Sequence, residues 1–189
     1  MRQQWKDFLK DNGAEFNDSG IVTSFGSPRR ELSMALSGTV FADLSGVTVI
    51  AAHGKDVQSF LQGQFSNDIN NVSASRSQLS SYCTPKGRML ANFRVFGRDD
   101  GVYIALPTAL SEPFLRRLRM FVLMADVVLE DVSENFIHLG VSGPDAPAEL
   151  KAAMGQIPLS VDDAVTAGDC TLIRTPGIHP RFEVYGPLE

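Results

Sequence analysis

The chain has little of several things that mark out whole classes of protein. Only two cysteines, Cys83 and Cys170, stand in 189 residues, too few and too far apart for a disulfide framework or a four-thiolate metal site. The three histidines, His53, His138 and His179, are scattered, and none stands at ligand spacing from another histidine or a cysteine, which excludes the usual zinc patterns. His138 alternates within an apolar strand and reads as a core or edge residue. No uninterrupted apolar run approaches the ~20 residues that span a bilayer. The N-terminus Met1-Arg2-Gln3-Gln4-Trp5-Lys6-Asp7-Phe8-Leu9 mixes charge into every turn and lacks the apolar core of a secretory signal. Excess positive charge is also missing: the formal net charge is −5, so nucleic-acid binding would need a local basic patch. The expectation is a protein of the reducing cytoplasm, with no membrane segment and no direct nucleic-acid contact.

What is present suffices for a core. Hydrophobic residues make up 43% of the chain and charged residues 21%, enough for one large domain or two small ones. Arg116, Arg117 and Arg119 form the best basic patch, read as the solvated face of a helix whose other face is Leu110, Phe114, Leu118 and Phe121. The pattern opens with a short helix carrying Trp5, Phe8 and Leu9, stopped by Gly13, and a polar connection to about Arg30 that reads as a packing arm. Strands are expected over 39–44 and 47–52, then a helix over 55–62 with Gly63 placed for a left-handed cap. Strands over 78–84 and 89–96 join through Pro85-Lys86-Gly87, and another over 102–106 follows the Asp99-Asp100-Gly101 turn. A helix over 108–124 begins at the cap-competent Thr108, and a strand over 127–132 follows.

An internal echo organises these elements. Gly54-Lys55-Asp56-Val57 precedes Leu61, and Gly143-Pro144-Asp145-Ala146 precedes Leu150 at the same spacing. Each follows an apolar strand (47–52 and 136–141), and each ends in Gly-Gln, at Gly63-Gln64 and Gly155-Gln156. This reads as a duplicated strand–helix unit. The first copy completes a ferredoxin-like βαββαβ order. The second adds strands near Cys170–Arg174 and Arg181–Tyr185 and stops at Gly186-Pro187-Leu188-Glu189, where a closing helix and strand would be due. The expected class is therefore α+β: a helical arm and linker over 1–30, a first ferredoxin-like unit over 31–134, and the start of a second, incomplete, over 135–189.

Chemistry concentrates in Phe60-Leu61-Gln62-Gly63-Gln64-Phe65-Ser66-Asn67-Asp68-Ile69 and in Tyr82-Cys83-Thr84-Pro85-Lys86-Gly87-Arg88-Met89-Leu90. A helix end there leaves amides and a carboxylate beyond an apolar face, and a basic, glycine-containing hairpin follows, a combination suited to a flat heterocyclic ligand. Asn67 and Asp68 suit a turn or cap. Alternatively Asp68 accepts hydrogen bonds from ring N–H groups, with Gln62, Gln64 and Asn67 supplying amides, and Lys86, Arg88 or Arg181 meets ligand carboxylates. Cys83, near Lys86 and Arg88, is either an activated thiol or a small strand residue beside Tyr82. The run at Gly63 lacks the glycine pattern and lysine of a phosphate loop.

These two segments resemble the N-terminal part of the YgfZ-type folate-binding proteins, relatives of the aminomethyltransferase (T-protein) of the glycine cleavage system; the resemblance spans about Thr39 to Tyr185. It implies the aminomethyltransferase folate-binding fold, tetrahydrofolate as cofactor, and a non-catalytic role in iron–sulfur cluster assembly or tRNA modification, with iron–sulfur client proteins as partners. The chain departs from the pattern in three places. The family's downstream Lys-Gly-Cys motif, followed by Gly-Gln-Glu, has no counterpart, since Lys86-Gly87-Arg88 carries arginine in place of the cysteine. Either the chain is a piece of a longer protein or that portion has been lost. The T-protein relies on an Asp pair after a Gly-Gly turn, where this hairpin runs Lys86-Gly87-Arg88-Met89-Leu90-Ala91-Asn92. Its Gly-Tyr-Thr-Gly-Glu loop is replaced by Pro176-Gly177-Ile178-His179-Pro180-Arg181, between strands similar to those that flank it. The lost acids argue against transfer chemistry. The alternatives are a true aminomethyltransferase delivering a one-carbon unit to tetrahydrofolate, and a ligand-free interaction module.

Overall fold

The computed structural model describes residues 2–98 and 101–187. Asp99 and Asp100 of the expected turn, and Leu188 and Glu189, lie outside the described residues.

The first helix, α1 (Gln3–Asp11), buries Leu9, and Trp5 Nε1 donates to Asp43 Oδ1 at 2.9 Å. A two-stranded ribbon of β1 (Glu15–Phe16) and β2 (Val22–Ser24) leads to α2 (Pro28–Ser37). None of the ten residues of α2 is buried, and its apolar positions Leu32, Ala35 and Leu36 span little more than one turn. Its start is fixed instead by proline at the first helical position and by Glu31. That carboxylate accepts the Phe25 and Ser27 N–H groups at 2.9 and 3.0 Å and the Ser24 hydroxyl at 3.0 Å. Next comes β3 (Val40–Asp43).

The continuing chain forms β4 (Val47–His53), α3 (Val57–Gln62), β5 (Gln78–Cys83), β6 (Met89–Arg98), β7 (Gly101–Pro107), α4 (Thr108–Arg119) and β8 (Val128–Asp131). The remainder is β9 (Ile137–Ser142), α5 (Ala146–Met154), β10 (Ala164–Ala167), β11 (Cys170–Thr175) and β12 (Arg181–Gly186). Two compact units result. A contiguous unit holds Val47–Ser133 with Asp162–Ala164; a discontinuous unit holds the residues up to Gly46, Glu134–Val161 and those from Val165 onward.

In the contiguous unit the strands run in the order β5-β6-β7-β4-β8, and every neighbouring pair is antiparallel. Alternate residues of these strands (Ile50 and Ala52, Phe93 and Val95, Ile104 and Leu106) pack against Phe60 and Leu61 of α3 and Phe114 and Leu118 of α4. Each large side chain buried there contributes about 1.5–3 kcal/mol. In the discontinuous unit the order is β10-β11-β12-β9-β3, with a smaller core of Val141, Ala146, Leu150 and Phe182.

The two sheets match station by station. Beside β4 lies β8, with Val128 paired to His53; beside β9 lies β3, with Val40 paired to Ser142. In each case the first residue of the outer strand meets the last of the inner one. A helix precedes each outer strand, α4 before β8 and α2 before β3. The place beside β9 is taken by β3, which is expected with the first unit and pairs in the other sheet.

Two local expectations are corrected. Gly63 is right-handed (φ −79°, ψ −10°) and not a left-handed cap. The chain keeps winding past it, since the Gln64 and Phe65 N–H groups both reach the Leu61 carbonyl at 3.0 Å. Thr108 is the first helical residue and Pro107 the N-cap of α4; the Thr108 hydroxyl meets Thr48 Oγ1 at 3.0 Å across to β4.

Candidate functional site

The two segments singled out in the sequence lie side by side. Phe60, Leu61 and Phe65 are buried, so the end of α3 is pinned and the chain after it can run along β5. Phe65 bridges Tyr82, the Ser66 N–H donates to the Ser81 carbonyl at 3.0 Å, and the two serine hydroxyls stand 2.8 Å apart.

The amides and the carboxylate close this turn. Gln62 Oε1 accepts the Ile69 N–H at 2.7 Å. Asn67 takes a hydrogen bond from its neighbour's N–H, that of Asp68, and its Nδ2 donates to the Leu79 carbonyl at 3.0 Å. Asp68 Oδ1 accepts the Asn70 N–H at 3.0 Å and Asn70 Nδ2 at 2.8 Å, which caps a short 3-10 turn. The Asp68 carbonyl in turn accepts Gln78 Nε2 at 3.0 Å. Asp68 is exposed, and its Oδ2 accepts no hydrogen bond among the described residues; Gln64 is half-buried.

The cationic candidates sit elsewhere. Lys86 and Arg88 are exposed at the tip of the β5–β6 hairpin. Gly87 adopts φ +77° there, its N–H reaches the Thr84 carbonyl at 2.8 Å, and Thr84 Oγ1 accepts the Arg88 N–H at 3.1 Å. Asp68 lies against the start of β5 and this tip lies beyond its end, a separation of roughly 20 Å along the strand. Arg181 opens β12 in the other unit, exposed and paired with Ser142 and Thr175. Within one unit the structure therefore brings Gln62, Gln64, Asn67 and Asp68 into one turn and places Lys86 and Arg88 at a second position, while Arg181 belongs to the other unit.

Beyond the hairpin turn, Ala91 is buried and Asn92 exposed. Asn92 pairs with Ser81, whose hydroxyl stands 3.7 Å from the Cys83 sulfur, so this face of the hairpin offers hydroxyl, amide and thiol groups but no carboxylate. Farther along β6, Arg94 is only 6% exposed and is neutralised within the same unit. Its Nη1 donates to Asp162 Oδ1 at 2.7 Å and to Ser77 Oγ at 2.9 Å. The sequence signal for this pair is a lone arginine in the apolar run Phe93-Arg94-Val95-Phe96. The arginine patch on α4 also divides. Arg119 Nη2 donates to the Leu129 carbonyl at 2.6 Å, whereas Arg117 is half-buried, with its guanidinium carbon 5.9 Å from the Tyr82 ring centroid. His138 is buried and stacks on Tyr185 at 4.0 Å. Among the described residues, no group of three or more His, Cys, Asp or Glu could hold a metal ion, and no helix is long and apolar enough to cross a membrane.

This architecture is similar to the aminomethyltransferase fold. The glycine cleavage system aminomethyltransferase T from Bartonella henselae superposes with a TM-score of 0.82 at 16% identity, covering 96% of this chain and 52% of that one. The family follows from the sequence: the model described as the GCVT N-terminal domain matches residues 7–179, and the chain belongs to that family. Among similar curated proteins, the tRNA-modifying protein YgfZ of Colwellia psychrerythraea (strain 34H) is 28% identical over 147 residues, covering 78% of this chain and 45% of the relative. That of Enterobacter sp. (strain 638) is 28% identical over 144 residues, covering 74% and 44%. The chain spans about half the length of the curated relatives it matches.

Proposed function

We propose that the chain is a tetrahydrofolate-binding, non-catalytic module of the YgfZ and aminomethyltransferase group, acting in the cytoplasm in support of iron–sulfur cluster assembly or tRNA modification. Supporting the group are the family match and relatives named as tRNA-modifying proteins. In this reading each sheet is a copy of one ferredoxin-like unit with an added edge strand, an assignment supported by the matched strand orders. One observation carries the non-catalytic part: where transferases resembling this chain carry an acid pair after the hairpin glycine, this hairpin has buried Ala91 and exposed Asn92. A carboxylate that could influence the protonation of a reacting nitrogen is missing at that place.

The residues present fit a folate in a divided manner. Asp68 keeps Oδ2 for a pterin N–H while Gln62 and Asn67 hold the turn that presents it, and Gln64 adds an adaptable amide. Lys86 and Arg88, exposed at the hairpin tip, suit the glutamyl carboxylates, and Arg181 is the third candidate for that role. Bound folate would supply a one-carbon carrier. Calorimetric titration with tetrahydrofolate, in parallel with an assay for one-carbon transfer from a lipoyl-bound carrier, tests the proposal. Binding without transfer supports it; binding with transfer makes the protein an aminomethyltransferase; no heat at millimolar ligand leaves an interaction module.

A further inference from the structure

A pocket of about 380 Å³ lies between α4 and the β5–β6 hairpin, within the size range of small-molecule sites. Its floor is aromatic: Tyr82 and Phe114, each 4% exposed, meet edge to face with ring centroids 5.7 Å apart. Leu110, Leu90 and Met120 add apolar wall, and among the described residues the charged ones lining it are Arg116 and Arg117. Arg117 is held over the Tyr82 ring, and its Nε is buried and donates to no acceptor among the described residues. A buried guanidinium N–H without an acceptor carries an uncompensated desolvation cost. A carboxylate in the pocket, pairing with the outer nitrogens of the same guanidinium, would offset that cost.

Side-chain alternation separates this pocket from the proposed folate face. Tyr82 and Ala91 are paired across the hairpin and face α4, whereas Ser81 and Asn92, the next pair, point to the opposite side. We propose that the pocket is a second binding site, for a small amphiphilic carboxylate: a flat or short apolar body lies on Tyr82 and Phe114, and the carboxylate pairs with Arg117, with Arg116 at the rim. Arginine is suited to this because its planar fork both stacks on a ring and receives a carboxylate.

The test is titration of the 189-residue protein with phenylacetate, followed by amide NMR shifts, beside its neutral isostere phenylacetamide. Phenylacetate is expected to shift the amides of Tyr82, Leu90, Ala91 and Leu110 saturably, and phenylacetamide to bind about tenfold or more weakly. Arg117→Gln is expected to lower phenylacetate affinity to that of the amide, and Leu110→Trp, which fills the hollow, to abolish both. Lys151→Gln, on α5 of the other unit, leaves them unchanged. Equal affinity for the acid and the amide, shifts confined to residues outside α4 and the hairpin, or no saturable shift at millimolar ligand overturns the assignment. The result is independent of whether tetrahydrofolate binds.

Discussion

Gly54 and Gly143 hold the same station in two different sheets. Each follows the inner strand, at φ +119° and +151°, and each is pressed against the backbone just before the outer strand. A Cβ on Gly54 would stand 2.0 Å from the Asp126 carbonyl oxygen, and one on Gly143 2.5 Å from that of Gly38. Asp126 and Gly38 each lie two residues before their strands, β8 and β3.

Alanine at either glycine therefore meets main chain that cannot rotate away, in a conformation that L residues avoid. Gly54→Ala and Gly143→Ala are each expected to cost about 3 kcal/mol or more, read as a lower urea midpoint. Gly87→Ala, at φ +77° but with nothing within 4 Å, should lose only about 1–2 kcal/mol. A wild-type midpoint for Gly54→Ala would refute the close approach.

Gly63 gives the opposite case. Its φ is right-handed and a Cβ would approach nothing closer than the Phe60 carbonyl oxygen at 3.5 Å. Gly63→Ala is expected to be neutral or stabilising by up to about 1 kcal/mol. Loss of more than about 1 kcal/mol in denaturant unfolding would restore the left-handed cap.

Arg94 depends on Asp162. Asp162→Ala leaves the guanidinium buried without its partner, and because Asp162 is itself 29% exposed the expected loss is about 2–3 kcal/mol, below that of a fully buried pair. Asp162→Asn tolerates the φ of +69° and should retain more stability than alanine. A double variant with Arg94→Met should recover part of the loss; strict additivity would show that the pair is not coupled.

Acid should loosen the start of α2. The Phe25 N–H bond, then those from Ser27 and the Ser24 hydroxyl, hold the Glu31 carboxyl below its usual range against an opposing push from burial. A lowered folded-state pKa means stabilisation that is present above the unfolded value, about 4.3, and is lost as pH falls through the folded one. Amide exchange at Phe25 and Ser27 should rise, relative to α3, below that range. Glu31→Gln should remove most of the pH dependence; an unchanged acid profile in that variant would point to another group.

For the ligand, Lys86→Gln with Arg88→Gln is expected to weaken tetrahydrofolate without shifting the melting temperature, since both side chains are exposed. Asp68→Ala should weaken it too and cost about 1 kcal/mol as a lost cap. If that variant melts earlier but its folded fraction binds as before, the carboxylate serves the turn alone.

The legibility of this chain follows the range of its interactions. The run Val47–His53 announces β4 because it is apolar and bounded, and the Gly54 and Gly143 echo survives because a main-chain contact tolerates no side chain. The partner of β3 is not legible: it lies three residues before β4 yet pairs with β9, a choice made by distant backbone. At the site, the contact between the Phe60–Asp68 segment and β5 was legible as two polar words in one neighbourhood. The use of each side chain was not, because an amide or carboxylate that closes a turn has the same letter as one that grips a ligand. Leu110, Pro113, Phe114 and Arg117 do follow the spacing of one helical stripe, which was the available sign that Arg117 differs from Arg116 and Arg119.

The pairing of Val40 with Ser142 also sets an order of events on the ribosome. At roughly 5–20 residues per second, β3 emerges with its partner still about a hundred residues, or roughly 5–20 s, away. During that wait the Val47–Ser133 segment is delivered almost whole and can collapse first. The nascent α2–β3 segment is thus an orphan edge until β9 emerges, and the exposed Leu32, Leu36 and Phe41 make it the stretch of the growing polypeptide that a chaperone would meet.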